Sequence, residues 1–308
     1  MKIIVTGAEG MLGTAFVEEA GSGCDILALS KDHCDVSDSR AVDSLAHYQA
    51  DWIVHCAAPT NVEFCEANPD IASRIIVDGA RNIVRLAKKL NCSVLFPQSF
   101  LIFGPSDTAY IDAATPSPKS VYGILKRQAE EIILTEHSQS MSLRLGGFFG
   151  GRAKDKNFVG KFIKHLAENP QIHEGGLKIG NRVWQPTYTN DIAKNALILM
   201  SLNKFGIYNM AAHGEARFYD VAKLIVETLG IETKIVLVNE KDIRADNEVP
   251  RPGRVLLDNQ RLRQENLDSQ RHWRNSLAEY LFAWNPLEKT VSAGSKASSY
   301  DLAKTEMR

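Results

Sequence analysis

The 308-residue sequence lacks the features that would tie it to a membrane, a metal or a nucleic acid. No apolar run approaches the roughly 20 residues of a helical membrane span. The apolar stretch in Met1–Gly7 is far too short for a secretory leader. Neither charge sign is in excess: the formal net charge is −1, which leaves no electrostatic footprint for nucleic acid or an anionic membrane surface. The five cysteines, Cys24, Cys34, Cys56, Cys65 and Cys92, are odd in number and form no CxxC pair. They read as reduced thiols in core or pocket positions, not as a disulfide framework, and no metal site is expected. There is no internal repeat. These absences together point to a cytoplasmic protein whose partners are small molecules or other proteins.

What is present is a large α/β pattern. Hydrophobic residues make up 44% of the chain, enough for a substantial core. Short β-branched runs at Lys2–Thr6, Asp25–Ser30, Asp51–Cys56, Ser93–Ser99 and Met141–Leu145 alternate with helical patterns. The helices are expected near Met11–Ala20, Ser37–Tyr48, Asp70–Lys89 and Ser120–Glu136. Such alternation predicts βαβ units and a doubly wound parallel sheet. After Gly150 the spacing changes. Helices near Asn157–Glu168, Asn190–Leu202 and Phe218–Leu229 are interleaved with short strands such as Gly206–Met210 and Lys234–Val238. The expected division is a dinucleotide-binding domain over 1–150, completed by parts of 180–215, and a smaller discontinuous α/β substrate lobe over 151–284. The stretch 285–308 is rich in Ser, Lys, Ala and Glu, and is expected to be a mobile tail or a late-docking helix.

Gly7-Ala8-Glu9-Gly10-Met11-Leu12-Gly13 lies between the first strand and the first helix. In such a turn the first glycine permits the tight bend, the middle one lets a pyrophosphate approach the backbone, and the last lets helix and strand pack closely. The free amides of the helix's first turn then face the phosphates. The segment is therefore read as a Rossmann-type cradle for NAD or NADP, contacted by Gly7, Glu9, Gly10, Met11, Leu12 and Gly13. The second strand ends in Leu29-Ser30-Lys31, with no carboxylate until Asp32. A hydroxyl and a cation there favour a 2′-phosphate, so NADP is the expected cofactor and NAD the alternative.

Tyr122-Gly123-Ile124-Leu125-Lys126 places a phenol and an ammonium one helical turn apart on one face. An ammonium beside a phenol lowers its pKa and lets it exchange a proton with an oxygen at a carbon where hydride moves. Lys126 can also hold the nicotinamide ribose. Ser99 closes the fourth strand at the end of the sheet where open α/β sheets bind ligands, and its hydroxyl is placed to polarise a carbonyl. The plainer readings are an exposed helical Tyr/Lys pair and a serine that satisfies a loop.

The GxxGxxG spacing together with YxxxK resembles the extended branch of the short-chain dehydrogenase/reductase superfamily. That resemblance implies that Asp35-Val36 lies beside the adenine, although Asp35 also fits as a cap for the following helix. It further implies that Cys56-Ala57-Ala58 floors the adenine and ribose. Asn61–Glu66, Ser117–Glu131, Asn157-Phe158-Val159, Gln185–Ala193 and Gly206–Asn209 occur in the order found in the dTDP-4-dehydrorhamnose reductase family. His272–Leu277 resembles that family's closing helix, so the match runs roughly from Met1 to Trp284. Two departures lie on the substrate side. The family usually has Thr-Asp-Tyr where this chain has Ser99-Phe100-Leu101. It usually has a tryptophan, associated with the sugar, within the segment written here Leu145–Gly150. The resemblance implies NADP-dependent reduction of the keto group of a nucleotide-linked sugar, with Ser99, Tyr122 and Lys126 catalytic. Substrate contacts are expected at Phe100, Phe149 and Asn157. Arg251 and Arg254, in a Pro/Gly-rich loop, either grip a diphosphate or are solvated. Pro186–Asp191 reads as a turn and helix cap. The alternatives are an NAD-dependent epimerase or dehydratase, and a non-catalytic regulatory subunit resembling the methionine adenosyltransferase beta subunit. A homodimer is left open.

Overall fold

The structure, a computed structural model, describes residues 1–169, 175–243 and 249–284. Six strands form one parallel sheet: β1 (Lys2–Thr6), β2 (Asp25–Leu29), β3 (Trp52–His55), β4 (Ser93–Ser99), β5 (Ser140–Leu145) and β6 (Gly206–Met210). Their order is β6-β5-β4-β3-β1-β2. The direction of winding reverses between β1 and β3, so the crevice for a ligand opens at the carboxyl ends of those two strands.

Both faces of the sheet are buried, which explains why the strands read as apolar runs with little alternation. Ile4, Ile53, Val94 and Phe96 face one core, shared with α2 (Gly79–Leu90) and α3 (Val121–Glu136). Ile3, Val5, Trp52, Val54, Leu95 and Leu143 face the other, shared with α1 (Met11–Ala20) and α5 (Thr189–Ser201). A third core belongs to the lobe. It joins α4 (Phe158–Glu168), α6 (Phe218–Thr228) and α7 (Trp273–Trp284) around Phe149, Trp184 and Trp273. Among the described residues no helix is long and apolar enough to cross a membrane.

Two expected helices differ. The segment expected as a helix over Ser37–Tyr48 is a single α turn, Ser39–Asp43, followed by a 3-10 turn, Ser44–His47, and its cap is Asp38, which accepts from the Arg40 amide at 2.9 Å. The helix expected over Asp70–Lys89 runs from Pro69 to Leu90 but passes through a π segment at Arg74–Asp78 before α2. Gly79 follows that widened turn, and a Cβ there would lie 3.1 Å from Val36 Cγ2. The helix thus packs closely against the segment after β2, and a side chain at residue 79 would require Val36 to shift by a few tenths of an ångström. The stretch 285–308 lies outside the described residues.

Candidate active site

The three glycines of the first turn have separate physical tasks. Gly7 has φ +64°, and a Cβ on it would lie 2.8 Å from the backbone of Ala57, so both its conformation and its approach to the loop after β3 require glycine. A Cβ on Gly13 would lie 2.3 Å from the Gly7 carbonyl oxygen. Gly10 is different: its Cβ would meet only that same oxygen, at 3.2 Å, and otherwise open space. Gly10 starts α1 without a side-chain cap, and no acidic residue lies in the first turn. The amides of Met11, Leu12 and Gly13 thus form the positive end of the helix beside the open side of Gly10. Glu9 is exposed on the turn. Across the crevice Cys56, Ala57 and Ala58 are half-buried, and burial pushes the Cys56 thiol up to about 12. A cradle with this open centre fits the pyrophosphate of a dinucleotide.

At the end of β2, Ser30 is buried and its hydroxyl is bonded to His33 Nδ1 at 2.8 Å, while Lys31 is exposed. Asp35 accepts from the Ser37 amide (2.9 Å) and hydroxyl (2.7 Å), which hold its carboxyl below the usual range. It closes a local turn. Val36 is buried, and its carbonyl accepts from Asn82 Nδ2 at 2.8 Å.

At the carboxyl end of β4 the structure brings Ser99 and Tyr122 together and sets Lys126 one turn along the same helix, its amine bonded to Pro97. Ser120 caps α3, its hydroxyl accepting from the Gly123 amide at 3.2 Å. The Ser99 hydroxyl accepts from the Leu101 amide at 3.2 Å and also interacts with the Tyr122 phenol. Sequence reasoning expects Lys126 to lower the phenol's pKa. The structure reverses this direction: burial pushes Tyr122 up to about 12, opposed by Ser99 and reinforced by the Cys65 thiol. The reason is geometric. Lys126 Nζ donates to the Pro97 carbonyl at 2.7 Å and lies over the Phe96 ring, 3.8 Å from its centroid. Burial brings the Lys126 ammonium itself down to about 7, with Cys56 and Glu130 pulling it back up.

On the substrate side Phe100 follows Ser99 directly and is half-buried. Gly147, where a side chain would enter the same region, is filled from elsewhere. A Cβ there would lie 2.5 Å from Trp184 Cε3 and 3.5 Å from Phe100 Cε1. Phe149 is a correction. It is fully buried in the lobe core, stacked on Tyr188 at 5.4 Å, because its strand turns it away from the crevice. Asn157 Nδ2 donates to the Phe148 carbonyl at 2.8 Å and holds that strand to the start of α4. Arg251 is not a solvated loop arginine: it pairs with Glu63, Nη2 to Oε2 at 2.9 Å, and holds that carboxyl down at about 2. Arg254 bonds the carbonyls of Ser106 and Asp107 and pairs with Glu215 at 2.8 Å.

Four supporting residues escaped the sequence reading. His55 Nδ1 is bonded to Thr6 Oγ1 at 2.9 Å, and burial together with the Lys126 charge keeps the ring neutral, near 3. Gln98 Nε2 donates to the Lys126 carbonyl at 2.8 Å, while its Oε1 accepts from the Ser99 amide at 2.8 Å, so one side chain joins both catalytic elements. Glu66 accepts from the Val121 amide at 2.8 Å. Gly123 lets α3 approach the loop after β4, because a Cβ there would lie 2.5 Å from the Leu101 carbonyl oxygen. Only Gly123 carried a signal, as a glycine set inside a helical pattern.

Comparison with known proteins covers nearly the same length. The family model described as the RmlD substrate binding domain matches residues 1–285. The spore coat polysaccharide biosynthesis protein SpsK of Bacillus subtilis is 31% identical over 283 residues, covering 91% of this chain and 96% of that protein. A dTDP-4-dehydrorhamnose reductase of Mycolicibacterium smegmatis is 28% identical, covering 92% and 85%. Among solved structures, a dTDP-4-dehydrorhamnose reductase of Clostridium acetobutylicum superposes with a TM-score of 0.85 at 24% identity, covering 92% of this chain and all of that one. The Bacillus anthracis dTDP-4-dehydrorhamnose reductase in complex with NADP gives 0.83 at 23% identity, covering 92% and 99%.

Proposed function

The chain belongs to the RmlD substrate binding domain family and is an oxidoreductase of the extended short-chain type; from that premise we propose that it uses NADPH to reduce the keto group of a nucleotide-linked sugar. The observation that carries this reading is the contact of Ser99 with Tyr122 at the carboxyl end of β4, with Lys126 one turn along the same helix and bonded to Pro97. A bound dihydronicotinamide supplies the hydride for the carbonyl carbon. Ser99 holds the carbonyl oxygen, and Tyr122 gives that oxygen its proton; burial raises the phenol's pKa and opposes this transfer, while the Ser99 hydroxyl lowers it and favours the transfer. Lys126, bonded to Pro97 and brought down to about 7 by burial, supplies a donor for the cofactor ribose and does not tune the phenol. The absence of a carboxylate at Ser30, with Lys31 exposed beyond it, supports NADP over NAD.

The test is NADPH oxidation with a panel of nucleotide 4-keto-sugars. One of them is expected to be turned over, with NADPH preferred to NADH. Tyr122→Phe should lower kcat by about 10²–10⁴-fold while the dissociation constant for NADPH changes little. Unchanged turnover in that variant removes the proposed mechanism.

A further inference from the structure

The glycine turn is met from its far side by a second segment. After the strand Phe148–Phe149, the chain turns through Gly150, Gly151 and Arg152, all with positive φ (140°, 75° and 54°). It then lies against Met11, the first residue of α1. A Cβ on Gly151 would be 3.4 Å from both Met11 Cα and Cγ, and the Lys156 amide donates to the Met11 sulfur at 3.4 Å. The path is held from inside by Asp155. That buried carboxylate accepts from the Gly150 amide at 3.1 Å and the Asn157 amide at 2.9 Å. A Cβ on Gly160 would lie 2.2 Å from the Asp155 carbonyl oxygen, so the segment seats on α4 only because residue 160 is glycine.

With Asp155 turned inward, its neighbours Lys154 and Lys156 are exposed. Neither forms an ion pair with a carboxylate of the described residues. The charge of Arg152, by contrast, bears on the phenols of Tyr188 and Tyr280. Two unpaired ammonium groups therefore stand on a segment fastened to the positive end of α1, where no acidic residue of the first turn offsets them. Cations at a helix amino terminus are unfavourable in themselves. An anion seated there is attracted both by the helix amides and by the lysines, which offsets that repulsion.

We propose that Lys154 and Lys156, on the segment that lies against Met11, bind the pyrophosphate of the bound dinucleotide together with the α1 amides. This rests on the dinucleotide reading above and adds two binding residues to it. The lysine pair recognises the pyrophosphate that NADP and NAD share, so it acts on affinity and not on the choice between them, which falls to Ser30 and Lys31.

Titration calorimetry at low salt separates the two roles, using NADPH, NADH and adenosine 2′-monophosphate, which carries no 5′-phosphate. In Lys154→Gln/Lys156→Gln the dissociation constants for NADPH and NADH should rise together by about tenfold or more, while that for adenosine 2′-monophosphate stays within about twofold. Lys31→Gln should instead weaken NADPH and adenosine 2′-monophosphate and leave NADH unchanged. Unaltered affinity of the double variant for both dinucleotides overturns this role and leaves the reductase reading standing. An equal loss for all three ligands overturns it as well, since it reports diffuse surface charge. Failure of the unsubstituted chain to bind either dinucleotide sinks the reductase reading itself.

Discussion

Lys126 sits in a position that is good for chemistry and poor for stability. Its amine is buried between Pro97 and Phe96, and burial brings it from 10.5 to about 7. Below pH 7 the lysine is charged in both folded and unfolded chains, and the folded chain carries the full desolvation cost. Between about 7 and 10.5 only the unfolded chain holds the proton, so the cost falls as pH rises. Across the whole window this is worth on the order of 5 kcal/mol. Urea unfolding of the dinucleotide-free protein should therefore show the original chain gaining stability relative to Lys126→Met as the pH is raised from 6 to 10. A difference that stays flat over that range would show that the amine is not desolvated. Gly147 presents the opposite case, a residue defined by what surrounds it. A methyl at 147 would enter the edge of the Trp184 ring, so Gly147→Ala should cost about 1–3 kcal/mol through overpacking. Much of that cost should disappear in the Gly147→Ala/Trp184→Ala pair when their unfolding midpoints are compared with those of the two single variants. Simple additivity would mean that the two positions do not share a volume.

At the scale of elements, the strands of the first half and the helices α1 and α3 were legible because their signals are local. Strands β1 and β3 and most of β4 are apolar runs because helices cover both faces, and Gly7, Gly10 and Gly13 state their own geometry in sequence. The Tyr122/Lys126 spacing needs only one helix to become a face. What was not legible depends on elements far apart in the chain. Parts of 180–215 were expected to complete the dinucleotide-binding domain, but which segment does so was not legible; the pairing with β5 shows Gly206–Met210 as the edge of the main sheet. The π segment at Arg74–Asp78 keeps the apolar spacing of an ordinary helix while shifting the register that brings Gly79 onto Val36. Phe149 alternates into the lobe core and not the crevice, and a two-residue strand is too short to reveal which way it faces. Arg251 looked available because its partner Glu63 lies 188 residues away. Gln98 could not be read at all, since its role is to join β4 to a helix carbonyl on α3.

The molecule as a whole is tied by crossings between its halves. The helix α5 packs against α1 under the main sheet, yet its first turn carries Asp191, which belongs equally to the lobe. That buried carboxylate accepts from Arg271 Nε at 3.0 Å and from the Ser276 hydroxyl at 2.6 Å, and its own carbonyl accepts from Gln270 Nε2 at 3.1 Å. Ser276 lies on α7, the helix whose Trp273, Leu277 and Tyr280 fill the lobe core. We therefore propose that the dinucleotide-binding domain and the substrate lobe unfold as one cooperative unit, although each has a core of its own. Removing the carboxylate leaves Arg271 without its inner partner and Ser276 without an acceptor. Arg271 keeps Glu279 and is about one-third exposed, which moderates the loss to roughly 2–3 kcal/mol. Asp191→Ala should then lower the melting temperature by several degrees in a single transition, seen alike by Trp52 in the main sheet and Trp273 in the lobe when each is followed in a variant retaining it as the sole tryptophan. Two separated transitions, with Trp273 melting first and Trp52 at its original temperature, would show instead that Asp191 serves the lobe alone and that the sheet stands without it.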